Sequence, residues 1–364
     1  MSTPRTKKLL SVAAVPATPV VRVKIVDVAR EAGVSLTTVS HALNDRGFVD
    51  PKTREAVKLV ALRLGYRPNR HAQRLRTAGA HMIILVSSMP FAVAGGPSRL
   101  GFLMEIAAVA AGAALSRGLA LVLAPPAETG ALSLESLDID GAIVLEPTAA
   151  DSQVAYFLQQ GLPVVSIGKP ALSTDALPFV DLNSSGTTRQ LLEHLHTAGA
   201  RNIALLIGQQ QRTSYLEAVA AYQAFAKDCQ MRPVLKKADE RGGEQGGRLA
   251  TLELLAREPH IDAICAPIDA FAVGAVLALN DLGRRVPDDV MVATRYDGLR
   301  ARHCSPPLTS LNLHLDVVAT QAVALLLDHL RGDTSIREVH GPTAELIIRQ
   351  SSQRTDLAPA LQIT

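Results

Sequence analysis

Residues 24–77 read KIVDVAREAGVSLTTVSHALNDRGFVDPKTREAVKLVALRLGYRPNRHAQRLRT, and their apolar spacing leaves room for little but three short helices. Ile25, Val28 and Ala29 fall at i, i+3, i+4 and predict a first helix, after which Gly33 can turn the chain sharply. Ser35 is a good N-cap for a second helix whose inner side is Val39, Ala42 and Leu43. Leu36, Thr37, Thr38, Ser40 and His41 then point outward, short enough to let a helix sink into a major groove roughly 12 Å wide. Asp50 followed by Pro51 and Thr53 starts a third helix, with Ala56, Val57, Val60, Leu62 and Leu64 expected on its inner face. Two helices joined by a glycine turn and braced by a third make a helix-turn-helix.

The charge is divided to match. Residues 1–80 hold 15 Lys and Arg against 5 Asp and Glu, a balance of +10, whereas the remaining 284 hold 22 against 29, a balance of −7. The overall +3 hides that division. A basic segment of this size on a helix-turn-helix is the electrostatic footprint of phosphate binding and implies affinity that falls steeply with salt.

The segments DVAREAGVSLTTVSHALN, LGYRPN and AQRLRT resemble, nearly position by position, the head of the lactose/galactose repressor family of bacterial transcription regulators. The resemblance implies that Leu36, Thr37 and His41 read bases and that Ser35, Thr38, Ser40 and Asn44 touch phosphate or brace the helix. It also implies a hinge helix from Asn69 to Arg76, in which Asn69, Arg70 and Gln73 meet DNA and Leu75 is a minor-groove wedge that kinks the operator. Two departures affect the head. Lys24 stands where the family's helix-capping threonine is usual, and His41 replaces a common arginine, so a weaker, protonation-dependent donor faces the bases.

A chain of 364 residues that is 48% apolar can build further compact units beyond the head. From His81 onward β-like runs (MIILVS, LALVLA, GAIVLE, PVVSIG, then NIALLI, DAICAP, VMVATRY) alternate with helical stretches. That alternation, occurring twice, predicts two doubly wound α/β lobes of periplasmic-binding-protein type with a cleft between them. The expected organisation is a disordered leader over 1–22, the helix-turn-helix over 23–68, and hinge and linker over 69–80. An effector-binding and dimerisation domain over 81–352 and a tail over 353–364 complete it. Its first lobe would comprise about 81–179 and 315–342, its second about 180–314 and 343–352, following the family's chain crossings.

Relatives of the resembled family grip a sugar or nucleobase with an arginine early in the second lobe, an asparagine–aspartate pair and a strand-end aspartate. Here Asp269 and Asp297 match two of these positions, while Ala218 lies where the arginine aligns, Ile268 replaces the asparagine and Arg295 replaces a usual glycine. The altered hydrogen-bonding inventory points to a non-standard effector. Arg295 either supplies positive charge for an acidic or mixed polar–apolar ligand or makes a structural salt bridge with Glu217 or Glu240. Ser87, Ser88 and Phe91, in the loop after the first strand, and Glu146, after GAIVLE, lie where loops border the cleft.

Competing classes find less in the residues. GGEQGG, Gly242 to Gly247, lacks both the dinucleotide pattern and a phosphate-loop lysine, and reads as a loop. His194 and His196 fall on different helix faces, His303–Cys304 has no partner pair, and no G-x-S-x-G elbow occurs. No enzyme activity, cofactor or metal is therefore expected. An extracytoplasmic solute-binding protein would need a true signal peptide and no head, whereas the apolar stretch of MSTPRTKKLLSVAAVPATPV is short and broken by Pro16. Three scattered cysteines and no bilayer-length apolar window fit a reducing cytoplasm. The expected partners are a pseudo-palindromic double-stranded DNA operator, a small-molecule effector and further copies of the chain, as a homodimer or tetramer.

Overall fold

Ser35 fixes the start of the second helix: its Oγ accepts from Thr38 N at 3.1 Å, and its carbonyl accepts from Val39 N at 3.0 Å. The computed structural model describes residues 25–43, 49–64, 81–95, 101–124, 134, 137–170 and 177–354. In the head, α1 (Ile25–Ala32), α2 (Leu36–Leu43) and α3 (Pro51–Arg63) surround a small core. Gly33 turns between the first two at φ +65°, which an L side chain rarely adopts. Asp50 caps α3 through Thr53 N at 3.1 Å, with Pro51 at the first helical position.

The core of the head is Val28, Ala29, Val39, Ala42, Val57 and Ala61. Two residues of the expected inner face of α3 point outward instead. Ala56 is exposed and Leu62 is 83% exposed, because burial of Val57 sets a helical phase that continues to Val60, Ala61 and Leu64 and turns those two outward.

The larger unit, residues 79–364, has two lobes, each built on a six-stranded sheet. In the first, β1 (Met82–Ser87), β2 (Ala120–Leu123), β3 (Gly141–Leu145), β4 (Val164–Ile167) and β5 (Phe179–Asp181) join β11 (Glu338–His340) in the order β2-β1-β3-β4-β5-β11, all parallel. In the second, β6 (Ile203–Gly208), β7 (Val234–Ala238), β8 (Ala263–Cys265), β9 (Met291–Tyr296) and β10 (Thr309–Asn312) run parallel, and β12 (Glu345–Ile347) adds antiparallel to β10. The central strands β3 and β6 are buried along their whole length, as parallel strands covered on both faces must be.

Helices α4 (Phe91–Ala94), α5 (Phe102–Leu115) and α6 (Ser152–Gln159) follow first-lobe strands. α7 (Ser184–Thr197), α8 (Thr213–Asp228), α9 (Gly243–Arg257), α10 (Asp269–Asp281) and α11 (Leu299–His303) belong to the second lobe, and α12 (Leu315–Leu330) returns to pack on the first. GGEQGG is no loop: Gly243–Gly247 form the first turns of α9. A β-carbon at Gly247 would lie 2.6 Å from the Phe271 Cα of α10, so the glycines serve a close helix–helix approach.

The chain passes between lobes three times, after β5, after β10 and after β11. Two crossings are built alike. Asn183 (φ +47°) donates its N–H to Asp181 Oδ1 at 2.9 Å, and His314 (φ +50°) donates to Asn312 Oδ1 at 3.0 Å. In each, a left-handed residue precedes a helix and is held by the side chain two positions back.

Candidate functional site

On α2 the side opposite Val39 and Ala42 presents Leu36, Thr37 and His41 to solvent, with Thr38 and Ser40 half-buried. Leu36, the first residue of α2, is 48% exposed. The Thr38 hydroxyl lies 2.9 Å from Ser35 Oγ, so both serve the cap. Asn44, Asn69, Arg70, Gln73 and Leu75 lie outside the described residues.

In the larger unit the strand ends of the two lobes face one another across a cavity of about 40 Å³. Glu146, Asp269 and Arg295 all line it. Glu146, at φ +47°, directs its carboxylate across the cleft: Oε1 lies 3.1 Å from Arg295 Nη2, and Oε2 accepts from Ser214 Oγ at 2.5 Å. Arg295 Nη1 donates to Ser184 Oγ at 2.6 Å. The salt bridge expected of Arg295 thus exists, but neither Glu217 nor Glu240 is its partner. Glu217 pairs with Lys169 and Glu240 with Arg212.

Asp269 begins α10 and pairs through Oδ1 with Arg300 Nη1 at 3.1 Å, also accepting from Ala270 N at 2.7 Å. Its buried Oδ2 has no partner. Burial pushes the Asp269 carboxyl above its ordinary value, against the opposing pull of Arg300.

Three expected site residues stand elsewhere. Asp297 turns away from the cavity to Arg349 (2.6 Å), Ser310 (2.7 Å) and Arg302 (3.0 Å), because two arginines and a hydroxyl of its own lobe satisfy both carboxylate oxygens. Phe91 packs over Gly95, leaving Met89 and Val93 as the residues of that loop on the cavity wall. Ser88 lines a neighbouring polar cavity with Ser87, and its carbonyl accepts from Arg212.

The residues that sequence reasoning missed are the aromatic wall and two arginines. Phe102 and Tyr296 meet edge to face with centroids 5.4 Å apart, Tyr215 completes the wall, and Tyr296 Oη donates to Glu105 at 2.5 Å. Arg212, 1% exposed, pairs with Glu240 at 3.1 Å and donates across the cleft to the carbonyls of Ser88 (2.8 Å) and Glu146. Arg300 donates to the carbonyls of Ala92 (2.6 Å) and Val93 (2.8 Å) while pairing with Glu244 and Asp269. Each arginine starts or flanks a helix after a second-lobe strand, at the carboxyl edge where ligands bind in such sheets, and that position was the available signal.

No helix among the described residues is long and apolar enough to cross a membrane. Residues 24–69 match bacterial regulatory proteins of the lacI family, and residues 192–352 match a periplasmic binding protein-like domain. The chain is 31% identical to the HTH-type transcriptional regulator CelR of Thermobifida fusca over 89% of its own length and 96% of the relative's. It is 28% identical to the lactose operon repressor of Escherichia coli over 93% and 92%. Among solved structures, the Lac repressor dimer bound to operator and the anti-inducer ONPF superposes with a TM-score of 0.72 at 25% identity, over 91% of this chain and 99% of that one. The CelR–cellobiose complex gives 0.67 at 28%, over 91% and 100%. The chain belongs to the lacI family of bacterial regulatory proteins, DNA-binding transcriptional regulators with a helix-turn-helix head.

Proposed function

We propose that this regulator is a cytoplasmic, non-enzymatic repressor that reads a pseudo-palindromic operator with two heads, and that the interlobe cavity is its effector site. The observation that carries the second part is that both lobes wall the cavity and meet there through Glu146 and Arg295. An effector changes operator affinity only through its differential affinity for two lobe arrangements, and a cavity shared between lobes is where that difference arises. Leu36, Thr37 and His41 are the proposed base readers. Ser35, Thr38, Ser40 and Asn44 are assigned to phosphate contact or helix bracing, and Asn69, Arg70, Gln73 and Leu75 to the hinge. Ser88, Phe91 and Asp297 are assigned supporting roles around the cavity rather than ligand contact.

The effector is proposed to differ from the cellobiose of CelR. The cavity is largely apolar, and its one unpartnered buried carboxylate oxygen among the described residues is Asp269 Oδ2. A disaccharide's many hydroxyls would find few free partners there, at about 1–3 kcal/mol for each buried group left unpaired. Nor is Arg295 a free cation for an acidic ligand, since Glu146 already neutralises it.

Gel-shift with palindromic DNA at rising salt tests the reading. Specific retention whose logarithm falls linearly with log salt, with a slope of about −0.9 per phosphate contacted, is expected. Retention indifferent to sequence would sink it. Mass spectrometry of small molecules released from purified protein then identifies the effector.

A further inference from the structure

The cleft is held shut by the chain's own groups. Both Glu146 carboxylate oxygens are engaged by second-lobe side chains, Arg295 at 3.1 Å and Ser214 at 2.5 Å. Arg212 and Arg300 reach from the second lobe to four first-lobe carbonyls, those of Ser88, Glu146, Ala92 and Val93. The backbones also meet: Thr148 and Arg212 form an antiparallel bridge, with Ala149 N donating to Gln211 O at 3.0 Å. The cavity that Arg295 lines keeps about 40 Å³ of space, beside a second of about 200 Å³ lined by Ser87, Ser88 and Arg241.

Within this arrangement Arg295 does what a ligand would do. Its side chain is 12% exposed and Glu146 is 5% exposed, so their ion pair supplies each with a countercharge, with the Arg212 guanidinium a second cation near Glu146. The guanidinium sits between a first-lobe carboxylate and the Ser184 hydroxyl at the start of α7, bridging the lobes at a crossing. A planar fork with donors on two sides fits that seat better than a point charge.

We infer that Arg295 is a tethered occupant of the effector cleft: its guanidinium closes the lobes in the absence of a small molecule and restricts competitors to organic cations, guanidines or amines, that can replace it on Glu146. The restriction on competitors rests on the cavity being the effector site, whereas the closure does not. Charge balance supports the class. With Arg295 displaced, Glu146 keeps the Ser214 hydroxyl but loses its ion-pair partner, in a cavity that Phe102 and Tyr296 also line, so a cation with an apolar flank fits the vacated seat.

The test uses the full chain, shown free of small molecules by mass spectrometry, and hydrogen exchange at the Ala149 amide as the readout of the interlobe bridge. Wild type is expected to protect this amide without any ligand. Arg295→Ala should speed its exchange about tenfold or more and lower the melting temperature by about 6–15 °C. Millimolar ethylguanidinium should restore protection in Arg295→Ala, which a merely structural loss would not allow. Urea should restore nothing, and neither should ethylguanidinium in Arg295→Ala/Glu146→Gln. Arg295→Lys, should the alanine variant fail to fold, is expected to show intermediate protection. An unprotected Ala149 in ligand-free wild type, protection undiminished in Arg295→Ala or Arg295→Lys, or no rescue by ethylguanidinium would each overturn the inference. None of these outcomes touches operator retention in the gel-shift, where failure of the regulator reading would show instead.

Discussion

Gly247 of α9 and Phe271 of α10 lie so close that a β-carbon on the glycine would sit 2.6 Å from the phenylalanine's α-carbon. Gly274 returns the contact, its missing β-carbon making room for the Glu244 carbonyl and for Arg248 N. The two helices thus touch backbone to backbone along glycines from both sides, beneath the cavity residue Asp269 that opens α10.

Gly247→Ala is expected to destabilise the chain by about 1–3 kcal/mol, since backbone rather than a flexible side chain blocks the added carbon. Gly112→Ala makes the control. That glycine lies in α5, exposed, with nothing within 4 Å of the added carbon, so the change should stabilise by about 0.5–1 kcal/mol. Urea unfolding of the two variants should move the midpoints in opposite directions, and matching shifts would refute the close-approach account.

The corrected phase of α3 gives a second expectation. Val39→Ala empties part of a small core where Val28 and Val57 are also fully buried, and should cost about 1.5–3 kcal/mol of head stability. Leu62→Ala, at a residue 83% exposed, should stay within about 0.5 kcal/mol. Hydrogen exchange of the α1 and α2 amides reads both, and a loss in the Leu62 variant equal to that in the Val39 variant would restore the original inner face.

The contrast shows what kind of information a sequence carries. The head was legible because its signals are local: the Ser35 cap, the Gly33 turn and the Asp50–Pro51 start each act within a few residues. The long apolar strands β1, β3, β6 and β9 were legible for the same reason, while β11 and β12, three residues each, are defined by partners far along the chain. At the cleft, residue types near strand ends pointed to Glu146, Asp269 and Arg295. The partnerships were not legible. Arg295 meets Glu146, 149 positions away, and which of several carboxylates it meets depends on how two lobes close. GGEQGG misled because glycine marks both a loop and a close helix contact, and only the Phe271 backbone decides between them.

His194 gives a pH expectation near neutrality. Its Nε2 lies 2.7 Å from Ser352 Oγ, joining α7 to the end of the described chain, and burial pushes the imidazole below its ordinary value. Below about pH 6.5 the unfolded chain binds this proton more readily than the folded one. The stabilisation is therefore complete above that value and is lost as pH falls through the folded pKa. Melting temperature should drop from about pH 8 to about pH 5.5 more in wild type than in His194→Gln, and equal slopes would remove His194 as the cause.

Asp297 predicts the acid limb. Burial alone would raise its carboxyl, but hydrogen bonds from Arg349 and Ser310, with Arg349 and Arg302 as countercharges, outweigh that and hold it below its ordinary value. The group ties the end of β9 to Ser310 in β10 and to the segment after β12, where Arg349 also donates to the Leu308 carbonyl at 2.9 Å. A depressed carboxylate stabilises the fold above its unfolded pKa, and that contribution disappears as pH falls through the folded value. Asp297→Asn should therefore cost about 2–4 kcal/mol at neutral pH, with the gap to wild type closing as the medium is acidified from about pH 6 to about pH 3. Urea midpoints across that range measure it. A gap that stayed constant would mean that the carboxylate's charge contributes nothing and that Asp297 acts only by shape. A cost confined to effector binding, with stability unchanged, would instead return Asp297 to the ligand site.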